Sequence, residues 1–177
     1  MESGKPANKL VIVTGPESTA KSSISQFLAK SCGCSLIEEY ARAYILKHPN
    51  YTYKHVKHIA EKQIAELKAT IKKNRPVIVD TYLIITKVWM VWKYKSYPKW
   101  MDKAIAETQE ALYLLCSPDI KWETDVVREN GGNGRIILFN LYQKELDAFG
   151  LNYEIIAGEG KKRTLLAKQK VDAYLKK

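Results

Sequence analysis

Short apolar runs alternate with longer amphipathic stretches along this chain. Leu10-Val11-Ile12-Val13, ending in Thr14-Gly15, is a continuous apolar run of the kind that forms a strand buried on both faces. A turn rich in Gly, Pro and Ser follows, and Ile24, Phe27 and Leu28 then recur at helical spacing. Ser35-Leu36-Ile37 reads as a second strand and residues 40–46 as a helix. Across residues 51–73 the positions Val56, Ile59, Ile64, Leu67 and Ile71 recur at spacings of three, four and five, which predicts a long amphipathic helix. Pro76-Val77-Ile78-Val79-Asp80 is a third strand, with proline at its tolerated first position. Residues 83–92 are apolar on nearly every side and predict a packed helix, and residues 99–110 predict another. Residues 111–116 form a fourth strand. Residues 121–135 are polar, contain Gly131-Gly132 and Gly134, and predict a mobile loop. Residues 136–149 read as a helix, 153–156 as a fifth strand closed by Gly158 and Gly160, and 163–175 as a final helix.

Alternating strands and helices predict an α/β fold with a mostly parallel five-stranded sheet. Right-handed crossovers then place helices on both of its faces. Ligands of such sheets bind beyond the carboxyl ends of the strands, so the chemistry is expected after Val13, Ile37, Val79 and Cys116. The length of 177 residues predicts one domain over 1–177. Residues 1–8 are polar and read as a disordered amino-terminal extension without a signal-peptide core.

Composition narrows the class. Hydrophobic residues make up 46% and charged residues 27%, which disfavours a disordered or fibrous chain. No apolar run is long enough to span a membrane, so no membrane partner is predicted. The three cysteines, Cys32, Cys34 and Cys116, lack the spacing of a redox pair or a zinc site and read as reduced thiols of a cytoplasmic protein. The net charge of +10 favours anionic partners, either nucleotides or nucleic acid. No nucleic-acid motif accompanies it, so nucleic acid is not the expected partner.

After the first strand stands Gly15-Pro16-Glu17-Ser18-Thr19-Ala20-Lys21-Ser22, against the phosphate-loop template G-x-x-x-x-G-K-[ST]. Ala20 occupies the second glycine position and every other position fits. Backbone N–H groups of such a loop wrap a phosphate, and the following helix adds partial positive charge. Lys21 then bridges the β- and γ-phosphates, and Ser22 offers its hydroxyl to Mg²⁺. A serine-rich helix cap with an accidental lysine is the structural alternative, but it does not explain the position directly after a buried strand. Asp80, at the end of the third strand, stands where phosphoryl-transfer enzymes bring an acid to the Mg²⁺ shell.

Glu38, Glu39 and Arg42 follow the second strand on the same side. Glu39 is the preferred candidate, either as general base toward a substrate hydroxyl or as a hydrogen-bond partner of a ribose diol. Arg128 and Arg135 flank the glycine-containing loop and suit a lid that closes on phosphate. Trp89 and Trp92 read as core or pocket wall, and Trp122 as a ring that stacks on a flat ligand. His48, His55 and His58 read as surface residues of helices rather than metal ligands.

These motifs in this order, together with Glu39-Tyr40-Ala41-Arg42, Asp80-Thr81 and the tract from Cys116 to Trp122 with Asp125, Arg128 and Glu129, resemble one family. It is the P-loop kinase domain of the NadR-type ribosylnicotinamide kinases, with its stand-alone AAA-type ATPase relatives. The likeness runs from about Lys9 to the carboxyl terminus. It implies a P-loop NTPase three-layer sandwich with a lid over residues 119–135, ATP with Mg²⁺, and phosphorylation of nicotinamide riboside to its mononucleotide. Motif and resemblance together assign ATP to Gly15, Glu17, Ser18, Thr19, Ala20, Lys21, Ser22 and Ser23, with Arg128 and Arg135. They assign the acceptor to Glu39, Tyr40, Arg42, Asp80, Trp122 and Asp125, and the metal to Ser22 and Asp80. Lys21, Glu39, Asp80 and Arg128 are the expected catalytic groups. The chain carries no H-x-G-H signature, so adenylyl transfer is not expected. Three positions depart from the family pattern: Ala20 replaces glycine, Tyr82 replaces the second acid of Asp-Thr-Asp, and Lys121 replaces proline.

Overall fold

The computed structural model describes residues 9–124, 126 and 128–176, so the amino-terminal extension and Asp125 lie outside the described residues. Five strands form one parallel sheet: β1 (Leu10–Thr14), β2 (Ser35–Ile37), β3 (Val77–Asp80), β4 (Leu112–Cys116) and β5 (Asn152–Ile156). Their spatial order is β2-β3-β1-β4-β5, which puts β1 at the centre. The helices are α1 (Lys21–Cys32), α2 (Tyr40–Lys47), α3 (Tyr53–Ile71), α4 (Leu83–Tyr94), α5 (Trp100–Ala106), α6 (Asn133–Ala148) and α7 (Gly160–Leu175).

The pleat sorts the apolar runs into two cores. Val11, Val13, Ile78, Leu112 and Leu114 point to one face and pack with Ile24 and Leu28 of α1 and with Ala167 and Val171 of α7. Ile12, Val77, Val79, Tyr113 and Leu115 point to the other face, against α3, α4, α5 and α6. A parallel strand in the middle of three layers has no wet side, which is why these runs are apolar throughout rather than alternating. No helix among the described residues is long and apolar enough to cross a membrane.

Three helix boundaries differ from the periodicity reading by three residues or more, each for a local reason. α5 stops at Ala106 because Thr108 Oγ1 bonds back to the Ile105 carbonyl at 2.6 Å and meets the Tyr113 hydroxyl at 2.7 Å. α6 begins inside the glycine-rich stretch, since Gly132 at φ 55 turns the chain into a helix that includes Gly134 and Arg135. Gly160 opens α7 rather than closing β5.

Candidate active site

β1 leaves the sheet at Thr14, and Gly15 then passes close over β4. Gly15 has φ 140, and a Cβ there would lie 2.7 Å from the Cys116 carbonyl oxygen. No side chain fits that gap, so the crossing of β4 requires the template's first glycine. The loop then folds on itself. Thr19 Oγ1 donates to the Pro16 carbonyl at 2.8 Å, and Lys21 Nζ donates to the same oxygen at 2.7 Å. α1 starts at Lys21, so its first-turn N–H groups, which have no intrahelical acceptor, lie at the loop.

Ala20 caps α1 at φ 62, ψ 23, in the left-handed region. These dihedrals are helical, but of the hand that disfavours a Cβ. The cost to an L-residue is about 1–2 kcal/mol. Ala20→Gly is therefore expected to stabilise the fold by up to about 1 kcal/mol, after glycine's extra unfolded-state entropy is subtracted. Turnover should hold or rise. A thermal melt and a steady-state assay check both, and a drop in both would show that the alanine methyl is a packing element.

The register Val13↔Asp80 sets the Asp80 carboxylate beside the loop. Asp80 is 4% exposed, and among the described residues its Oδ1 is buried without a hydrogen-bond partner. Burial pushes this carboxyl up to about 6; the neighbouring Ser22 hydroxyl and Lys21 pull it down, and Glu39 and Glu38 push it further up. A hydroxyl next to a buried carboxylate with a free oxygen is a hard-oxygen donor set, and it fits Mg²⁺. Thr81 follows at φ 66, a rare conformation for a β-branched residue, and buried strain of this kind gathers at functional sites.

The phosphate loop, Glu39, Arg42 and Arg128 open onto one cavity of about 420 Å³. Glu39 stands at the start of α2, and Glu38 beside it is exposed and outside the cavity. Ala41, Arg42 and Ile45 form the cavity side of α2, one helical face. Tyr40, expected at the acceptor, falls on the other face: it stacks on Tyr44 with ring centroids 5.5 Å apart, and its hydroxyl meets His58 Nε2 at 3.2 Å. Asp80 lies behind Ser22 rather than on the cavity wall. Tyr82 packs in the core, beside Tyr113, so the departure from the Asp-Thr-Asp pattern does not face the cavity.

Residues 121–123 and 129–130 lie against the phosphate loop. The two Glu17 carboxylate oxygens accept the N–H groups of Glu129 and Asn130, and Ser18 Oγ accepts the N–H of Glu123 at 2.9 Å. Arg135 was expected to reach phosphate. Instead it is buried and donates to the carbonyls of Ser18 and Ile120, at 3.1 and 2.9 Å. As part of the first turn of α6 it cannot travel with the loop. Trp122 was expected to stack on a ligand. Its ring instead lies 5.6 Å from the Arg135 guanidinium and packs on Gly131. Arg128 does line the cavity, and its guanidinium bonds to the Glu123 carbonyl.

The far wall was only partly legible. Tyr51, Gln63, Thr86, Trp89 and Trp92 line it. Trp89 stands edge-on to Tyr51 with centroids 5.1 Å apart. The signal for Gln63 was present in the periodicity: it occupies the buried stripe of α3 between Ile59 and Leu67, a polar residue on an apolar face.

None of the curated proteins matches the chain. Solved structures share the fold. NadR protein in complex with NAD and AMP-PNP is 22% identical, with a TM-score of 0.74 over 97% of this chain and 50% of that one. NadR in complex with NR is 21% identical, with a TM-score of 0.78 over 96% and 51%. Deoxyadenosine kinase from M. mycoides, with products dCMP and dCDP, is 13% identical, with a TM-score of 0.65 over 93% and 99%. The chain thus spans about half the length of the NadR proteins it matches. It also matches the family described as AAA domain over residues 10–163. With the phosphate loop, the parallel sheet and a family match across most of its length, the chain belongs to this AAA domain family and shares its fold with the NadR structures.

Proposed function

We propose that this protein transfers the γ-phosphoryl group of ATP to a hydroxyl of a nucleoside, with nicotinamide riboside as the first candidate acceptor and nicotinamide mononucleotide as its product. The observation that carries this reading is the lining of one cavity, which combines the phosphate loop and Lys21 with Glu39 and with Tyr51, Trp89 and Trp92, rings suited to a flat heterocycle. The relatives support it: one NadR structure holds NR, and the deoxyadenosine kinase holds nucleotide products.

In this reading residues 1–177 act as one kinase domain, and the lid expected over residues 119–135 is confined to the part that precedes α6 at Asn133. Lys21 leaves the Pro16 carbonyl to meet the β- and γ-phosphates. Ser22 and Asp80 hold Mg²⁺, which when bound neutralises charge on the phosphate oxygens. Glu39 accepts the proton of the attacking hydroxyl, and Arg128 stabilises the charge spread over the transferred group.

The test is ADP release with Mg-ATP across a nucleoside panel that includes nicotinamide riboside, the common ribo- and deoxyribonucleosides, and a blank. Stimulation by nicotinamide riboside alone supports the full reading. Stimulation by another nucleoside keeps the reaction and changes the acceptor. ATP binding without stimulation overturns the kinase reading in favour of a nucleotide-binding module. In the same assay Glu39→Gln is expected to lower kcat by about a hundredfold or more with little change in KM for ATP. An unchanged kcat would remove Glu39 from the role of base.

A further inference from the structure

Gln63 and Thr86 are the most deeply buried polar side chains on the far wall, 6% and 1% exposed. They come from α3 and α4 and meet across the two helices, where Thr86 Oγ1 donates to Gln63 Oε1 at 2.8 Å. That bond orients the amide. With its oxygen engaged, the group Gln63 has left for the cavity is its NH₂, two donors with no acceptor capacity. Among the described residues this nitrogen has no hydrogen-bond partner. Ile59 and Leu67, one turn before and after on the same face, are buried and apolar, so packing alone favours an aliphatic side chain here.

A donor that an apolar helix face carries into a cavity, with no protein acceptor, is a site for a ligand's acceptor. Its neighbours define the ligand. Trp89, one turn beyond Ile85 on α4, and Tyr51 bring aromatic rings to the same wall, which suits an acceptor carried on the edge of a flat heterocycle. The geometry points to Gln63, oriented by Thr86, as the residue that selects the nucleoside: it reads a carbonyl oxygen or an unprotonated ring nitrogen on the edge of the base. This inference rests on the nucleoside-kinase reading above and specifies its acceptor. Gln63 is the contact to the ring, and Thr86 is a positioning residue that acts through the amide.

The experiment is calorimetric binding to the full chain, with AMP-PNP and Mg²⁺ present, of nicotinamide riboside and of the pyridinium riboside that lacks the carboxamide. If the panel identifies another nucleoside, the pair is that nucleoside and its analogue without the ring-edge acceptor. The wild type is expected to prefer the parent compound about tenfold to a hundredfold, the worth of one buried hydrogen bond. Gln63→Leu should reduce this ratio to near one. Thr86→Val should reduce it only partly, because it frees the amide to turn. Affinity for AMP-PNP alone shows that each variant is folded. A Gln63→Leu protein that binds AMP-PNP and keeps the wild-type ratio overturns the inference while the kinase reading stands. A wild type that binds AMP-PNP but no nucleoside overturns both.

Discussion

Replacing Lys21 with alanine is expected to lower ATP-dependent turnover by about a hundredfold to a thousandfold, the usual loss when one preorganised group is removed from a developing charge. The ammonium is already aimed at the loop, since it donates to the Pro16 carbonyl at 2.7 Å, and nothing else in the phosphate loop is cationic. Little reorganisation is therefore needed when a phosphate replaces that carbonyl as its partner. The fold should be nearly indifferent, because Lys21 is only partly buried and Thr19 holds the Pro16 oxygen as well. Steady-state kinetics beside a thermal melt separates the two effects. Near-normal turnover in a folded Lys21→Ala protein would sink the assignment of the loop.

The largest stability effect is expected at Arg163. Its side chain is 2% exposed and stands in the first turn of α7. Nη1 donates to Asp119 Oδ1 at 2.7 Å and to the Gly158 carbonyl at 3.0 Å; Nη2 donates to the carbonyls of Ser117 at 2.7 Å and Thr19 at 3.2 Å. One planar fork thus ties the phosphate loop to the turns that follow β4 and β5. Removing it leaves buried carbonyls and a carboxylate short of donors. The expected cost of Arg163→Ala is about 3 kcal/mol, the lower end for a broken buried pair, because Asp119 is partly exposed and keeps the Gly158 N–H. For a chain of this size that is a fall in Tm of roughly 6–12 °C. Arg163→Lys should recover only part of it, since an ammonium cannot span four acceptors in one plane. Because Thr19 is one of those acceptors, ATP should restore less stability to Arg163→Ala than to the wild type. A melt with and without Mg-ATP reads both outcomes, and a loss below about 2 °C would show that the fork is dispensable.

Much of the fold was legible because the apolar runs of a doubly covered parallel sheet have no competing pattern. All five predicted strands form, and the helix boundaries that moved furthest did so through a local bond or a positive φ, such as Thr108 bonding to Ile105 or Gly132 turning into α6. The site was legible in its phosphate half, where one contiguous loop supplies the chemistry. Its other half comes from α2, α3 and α4, and no spacing in the sequence states which helix faces meet. Tyr40 and Arg42 belong to the same motif and are two residues apart, yet a helix turns about 200° between them, and of the two only Arg42 reaches the cavity.

The sequence by itself determined the layered α/β sheet and the phosphate loop with its lysine. It also set a short list of acids and arginines on the carboxyl side of the strands. These follow from local physics: side-chain periodicity, the needs of a buried strand, and the approach of backbone to phosphate. Only the tertiary structure decided that Arg135 braces the loop, that Asp80 stands behind Ser22 with a free buried oxygen, and that Gln63 meets Thr86 across α3 and α4. Each of those is a relation between side chains far apart in the chain, created when the helices close over the sheet. Burial then sets their chemistry, and burial is a property of the packed whole.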